Sequence, residues 1–75
     1  MSLLSDRIVK ETTTYLGPAS LKFLQRQTVS HMNGLVFENI EQSHLPDLAK
    51  WVETSAGLLI GKDKALQLAE KIRKM

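Results

Sequence analysis

The sequence predicts an all-α domain, a small bundle of four helices, and three observations carry that prediction. Apolar residues recur at intervals of three and four through most of the chain, which is the spacing that puts side chains on one face of a helix. Gly17-Pro18, Asn33-Gly34 and Gly61 cut these periodic stretches into helical lengths. No two segments alternate apolar with polar residues as a pair of strands must. The expected helices cover residues 2–16, 19–33, 43–60 and 62–75 of a single domain, 1–75, and short connections make antiparallel neighbours.

In the first segment Ser2 caps the start, Asp6 lies near the positive end of the helix dipole, and Leu4, Ile8, Thr12, Tyr15 and Leu16 line one face. The run Thr12-Thr13-Thr14 lowers helix propensity, because β-branched side chains lose rotamer freedom against the preceding turn. A strand over residues 11–16 would have no partner, so helix is the better reading. Gly17 then ends one helix and Pro18 starts the next with its φ already set.

The second segment turns Leu21, Leu24, Thr28 and Met32 inward, with Phe23 at the margin and Lys22, Gln25, Arg26 and Gln27 mostly outside. Asn33-Gly34 stops it, since both residues tolerate positive φ. Leu35, Val36 and Phe37 are expected to fold back onto the helix end, with Ile40 completing a hydrophobic patch. Ser43 is the expected cap of the third helix, and Pro46 is acceptable because it falls in the first turn.

The third segment holds the only tryptophan and is the natural centre, with Leu45, Leu48, Val52 and Leu59 on its stripe and Trp51 and Ser55 beside them. Trp51 is expected to be the largest piece of the core. Gly57 inside this helix implies either a close approach by a neighbouring helix or a break. After Gly61 the fourth segment faces Ala65, Leu66, Ala69, Ile72 and Met75 inward with Leu68 at the edge, and Lys71, Arg73 and Lys74 complement the negative end of the dipole. The expected core is therefore Leu4, Ile8, Leu21, Leu24, Leu48, Trp51, Val52, Leu59, Leu66 and Ile72.

Composition narrows the function classes. A 75-residue domain buries only about 60 to 65% of its unfolded surface, so the core is small. The absence of cysteine excludes disulfides and thiolate metal sites, and it fits a reducing, cytoplasmic setting. Asp6 interrupts the N-terminal stretch before an apolar run of signal-peptide length, and the run Leu58 to Ile60 is far too short to cross a bilayer, so a soluble chain without membrane contact is expected. The formal net charge is +2.

Motifs that carry chemistry are weak here. Gly57-Leu58-Leu59-Ile60-Gly61-Lys62-Asp63 has its glycines too close to wrap a phosphate, places aspartate where a metal-binding hydroxyl belongs, and follows no strand. His31 and His44 form no i, i+4 ligand pair, although Glu38 or Asp47 would be the carboxylates to join them. No nucleophile and base stand at a recognisable spacing. The expectation is a protein that is not an enzyme and takes no cofactor, metal or small-molecule ligand.

Tyr15-Leu16-Gly17-Pro18-Ala19, followed by Phe23-Leu24, is similar to a short tyrosine-x-glycine-proline signature of small helical modules appended to bacterial signalling proteins such as kinases and response regulators. The similarity covers residues 10–26. It implies a bacterial regulatory or scaffolding domain without catalytic residues, and it transfers no binding residue.

From the residues themselves, the leading expectation is a protein-interaction or regulatory module that associates with a protein partner, including a second copy of itself as a homodimer. Val36, Phe37, Leu58 and Ile60 are hard to bury within one short chain, and contiguous exposed apolar surface marks contact sites. The alternative is weak, nonspecific nucleic-acid binding through Lys62, Lys64, Lys71, Arg73 and Lys74, whose phosphate contacts carry affinity without reading sequence.

Overall fold

In the computed structural model, which describes residues 2–75, the first two expected helices join into one bent arm. Helix α1 spans Leu3–Leu16, a 3-10 turn spans Gly17–Ala19, and α2 follows directly over Ser20–His31. Short 3-10 turns at Phe37–Asn39 and Gln42–His44 lead into α3, Leu45–Ile60, and a single residue separates it from α4, Lys62–Arg73. The described residues are helical with no strand, in keeping with the all-α prediction. With no loop residue between α1, the 3-10 turn and α2, the helical segments fall into three long stretches, the first of which turns at Gly17.

The local reasons are those that the residues supply. Ser2 caps α1, its hydroxyl accepting from the Ser5 amide at 3.1 Å. The threonine run is helical despite its low propensity, and the Thr13 and Thr14 hydroxyls donate back to the carbonyls of Val9 and Lys10 at 2.7 and 3.4 Å. Gly17 takes a φ of 65°, Asn33 and Gly34 take 58° and 72°, and Gly61 takes 89°. Each of these breaks therefore uses a conformation that most side chains resist.

Two boundaries move. Helix α2 ends at His31, two residues before the expected stop, with the Met32 amide donating to the Thr28 carbonyl. Ser43 is not a cap. The 3-10 turn ahead of α3 is closed by Glu41 and His44 in a reciprocal capping box, in which the Glu41 amide donates to His44 Nδ1 at 2.9 Å. Pro46 falls in the first turn of α3, as expected.

The core centres on the α3–α4 hairpin. Leu45, Leu48, Ala49, Val52 and Ala56 of α3 meet Ala65, Leu68, Ala69 and Ile72 of α4, and Ile8, Leu24, Phe37 and Ile40 close over them. Small alanines let the two helices approach closely along their length. Gly57 lies on this seam with no break: a Cβ added there would stand 4.0 Å from Ala65 Cβ, an ordinary contact. The radius of gyration is 10.7 Å, near the roughly 11 Å expected for this chain length.

Several core expectations are corrected. Leu59 and Leu66 are 66% and 43% exposed, and Leu68 is fully buried. Leu66 lies about 100° around the helix from Ala65, whereas Leu68, Ala69 and Ile72 stay within the stripe facing α3. Leu4 and Leu21 are half-buried at the margin. Trp51 is half-buried too, its indole stacked on the exposed imidazole of His31 with centroids 4.0 Å apart and planes 9° from parallel. The large aromatic at the centre of the molecule is instead Phe37, brought inward by the positive-φ turn at Asn33-Gly34.

Candidate functional site

Around the bend of the arm, Tyr15, Leu16, Ala19 and Phe23 form one wall of an open groove whose other wall is Leu59 and Ile60, at the end of α3. The groove exists because Pro18 and Gly17 turn the arm away just where α3 runs out. Its lining is mostly apolar, with Lys22 and Arg26 as the charged members and no carboxylate, histidine or cysteine. Among the described residues no ion pair engages Lys22 or Arg26.

At the Tyr15 end stands a third cation. The Lys71 ammonium sits 5.1 Å from the centre of the Tyr15 ring and 3.1 Å from a Glu11 carboxylate oxygen, joining α4 to α1. Hydrogen bonding to Tyr15, and then to Glu11, holds the Lys71 pKa above its ordinary value of 10.5. Arg73 pairs with Glu70 one turn away on α4.

A second hollow is lined by His31, Met32, Asn33, Leu35, His44 and Asp47, so the fold does bring both histidines to one place with Asp47. The geometry opposes metal binding there. The Nδ1 lone pair of His44 is occupied by the Glu41 amide, which leaves the proton on Nε2 in the neutral ring. Trp51 covers one face of the His31 ring, which does not bear on its in-plane nitrogens. Among the described residues no group of three or more His, Asp or Glu is placed to hold a metal ion.

Of the apolar residues expected at a contact surface, Leu58 is 88% and Val36 52% exposed, and Ile60 is half-buried against the core. Phe37 is withdrawn: at 1% exposure it offers no surface. Leu59 was expected inside and is the side chain that carries the apolar groove out to Leu58. Of the basic residues, Lys62, Lys64 and Lys74 stand exposed, and Lys71 and Arg73 are drawn to acids. The stretch from Gly57 to Ile60 is helix, so the glycine-flanked segment is no phosphate loop.

Sequence reasoning missed the groove residues Tyr15, Leu16, Ala19, Phe23, Lys22 and Arg26 as a group. The available signal was the Gly17-Pro18 bend: apolar residues on either side of it cannot all point at one core. Among the described residues, no helix is long and apolar enough to cross a membrane. Comparison with models of known protein families, with curated proteins and with solved structures found no match to this chain.

Proposed function

We propose that this chain is a non-catalytic protein-interaction or regulatory module, a four-helix bundle whose working surface is the end of α3 and the groove beside it. The observation that carries this reading is the pair Leu58 and Leu59, 88% and 66% exposed on the last turn of α3 and continuous with an apolar groove. Burying a leucine is worth roughly 1.5 to 3 kcal/mol, so a partner that covers both gains much of what a specific contact needs. The groove's lack of carboxylate, histidine or cysteine favours contact over acid–base or nucleophilic chemistry. The tyrosine-glycine-proline corner is the basis for assigning the module to bacterial signalling, and the absence of cysteine is the basis for placing it in the cytoplasm.

Self-association belongs to this proposal, since Leu58 and Leu59 of two copies are able to cover one another. Sedimentation equilibrium tests it: a dimer at micromolar concentration that the Leu58→Gln, Leu59→Gln double variant dissolves, with helicity unchanged, is the expected result. A monomer up to high micromolar concentration overturns self-association.

A second reading, weak nonspecific nucleic-acid binding, draws on the exposure of Lys62, Lys64 and Lys74. Pairing of Lys71 with Glu11 and of Arg73 with Glu70 lowers the charge available to phosphates. A salt titration against duplex and single-stranded DNA decides it, and no affinity at low salt removes it.

A further inference from the structure

We infer, building on the contact reading above, that the groove at the bend of the arm accepts an acidic amphipathic helix from a different protein. Charge makes the first part of the case. Lys22 and Arg26 are four residues apart on α2, exposed, on the rim of an apolar floor, and without an ion pair among the described residues. Four residues of helix advance about 6 Å, so the two cations match carboxylates one turn apart on a second helix. The lining contains no acid to neutralise them. An apolar stripe flanked by Glu or Asp at helical spacing is the complementary surface.

Shape argues against three other occupants of such a groove. The apolar surface continues out of it over Leu59 to Leu58, which an acyl chain or small molecule held between the walls would leave wet. Small-ligand sites enclose about 70 to 90% of their ligand, and this groove is open along one side. A peptide that adds as a β-strand needs a free sheet edge, and the described residues contain no strand. A helix laid along the groove covers the apolar wall and Leu58 together.

A second copy of this chain lacks the complementary charge. No α-helix here carries two acidic residues three or four apart: Asp6 and Glu11, Asp47 and Glu53, and Asp63 and Glu70 are more widely spaced. Glu11 and Glu70 are in addition held by Lys71 and Arg73. The partner in the groove is therefore another, acidic chain.

The test is a displayed library of helical peptides, about three to four turns long, with a fixed leucine stripe and flanking positions varied among Glu, Gln and Lys, selected on the full chain. The expected outcome is enrichment of Glu at the flanks. A labelled winning peptide should lose about tenfold in affinity to the Lys22→Glu, Arg26→Glu protein, and should bind more weakly as salt rises. Leu59→Gln should also weaken it, and all three sites are exposed, so circular dichroism should show the fold retained. Equal enrichment of Gln or Lys, with binding still lost in Leu59→Gln, overturns the acidic partner and leaves the apolar contact standing. No enrichment above the Leu59→Gln protein overturns the proposal, and the sedimentation comparison then decides the contact reading by itself.

Discussion

The buried polar side chains of the described residues, Ser5, Thr12, Ser20, Gln27 and Thr28, all lie in the arm formed by α1 and α2, whereas α3 and α4 bury only aliphatic residues and alanine. The arm's hydroxyls mostly bond within the arm: Ser5 to the Ser2 carbonyl at 2.9 Å, Ser20 to Gly17 at 2.8 Å, Thr28 to Gln25 at 3.1 Å. The Ser55 hydroxyl reaches across from α3 to donate to Gln27 Oε1 at 2.9 Å. Thr12 Oγ1 has no partner among the described residues. One half of the molecule is held by steric fit between small side chains, and the other is attached to it by a thinner apolar face, the Ser55–Gln27 hydrogen bond and the Lys71–Glu11 pair. Such an arm is the part most sensitive to single polar changes.

The largest expected effect strikes the hairpin. Leu68→Ala removes a fully buried side chain at the α3–α4 seam and should cost about 2 to 5 kcal/mol, a large share of the roughly 4 to 11 kcal/mol available to a chain of this size, measured as the urea midpoint. Ser55→Ala tests the attachment of the arm. It strands the nearly buried Gln27 carbonyl oxygen and should cost about 1 to 2 kcal/mol, read as earlier amide exchange in α2 than in α4. Thr12→Val should go the other way, by about 1 kcal/mol, because it replaces an unpartnered buried hydroxyl with a methyl of the same shape; a lower thermal midpoint would mean that the hydroxyl has a partner after all.

The smallest expected effect concerns the surface pairing between the two halves. Because the folded-state pKa of Lys71 is raised above its ordinary value of 10.5, its contribution is intact below that pH and is lost as pH rises through the folded-state value. The stability difference between the protein and Lys71→Met should therefore shrink between pH 8 and strongly alkaline solution. A constant difference would assign the effect of Lys71 to packing on Tyr15 alone.

The helices were legible in the sequence because their signals are local. Ser2, Gly17-Pro18, Asn33-Gly34 and Gly61 act locally, and each stands at a helix boundary or within three residues of one. What was not legible was which side of a stripe meets which neighbour. The α3–α4 seam follows alanines, which carry little weight in a hydrophobic pattern yet set how closely two helices approach, so the pattern puts Leu66 and Leu59 inside and Leu68 only at the edge. Size misled in the same way at the aromatics. Trp51 was given the centre because it is the largest side chain, but Phe37 reaches that position through a loop turn that no helical periodicity describes. At the surface, exposure of Leu58 and Val36 followed from how little apolar area so short a chain can bury, and the groove did not, since it is made by two segments far apart in the chain.

Gly61 leaves one residue between the two helices that share the most extensive interface of the molecule. The chain entropy lost in closing so short a connection is small, so this pairing is the natural first event of folding, ahead of any docking of residues 3–31. During synthesis the arm nevertheless leaves the ribosome first, before the surface it folds against has been made. Until then its apolar stripe stays in water, where a helix of that length is only marginally stable on its own.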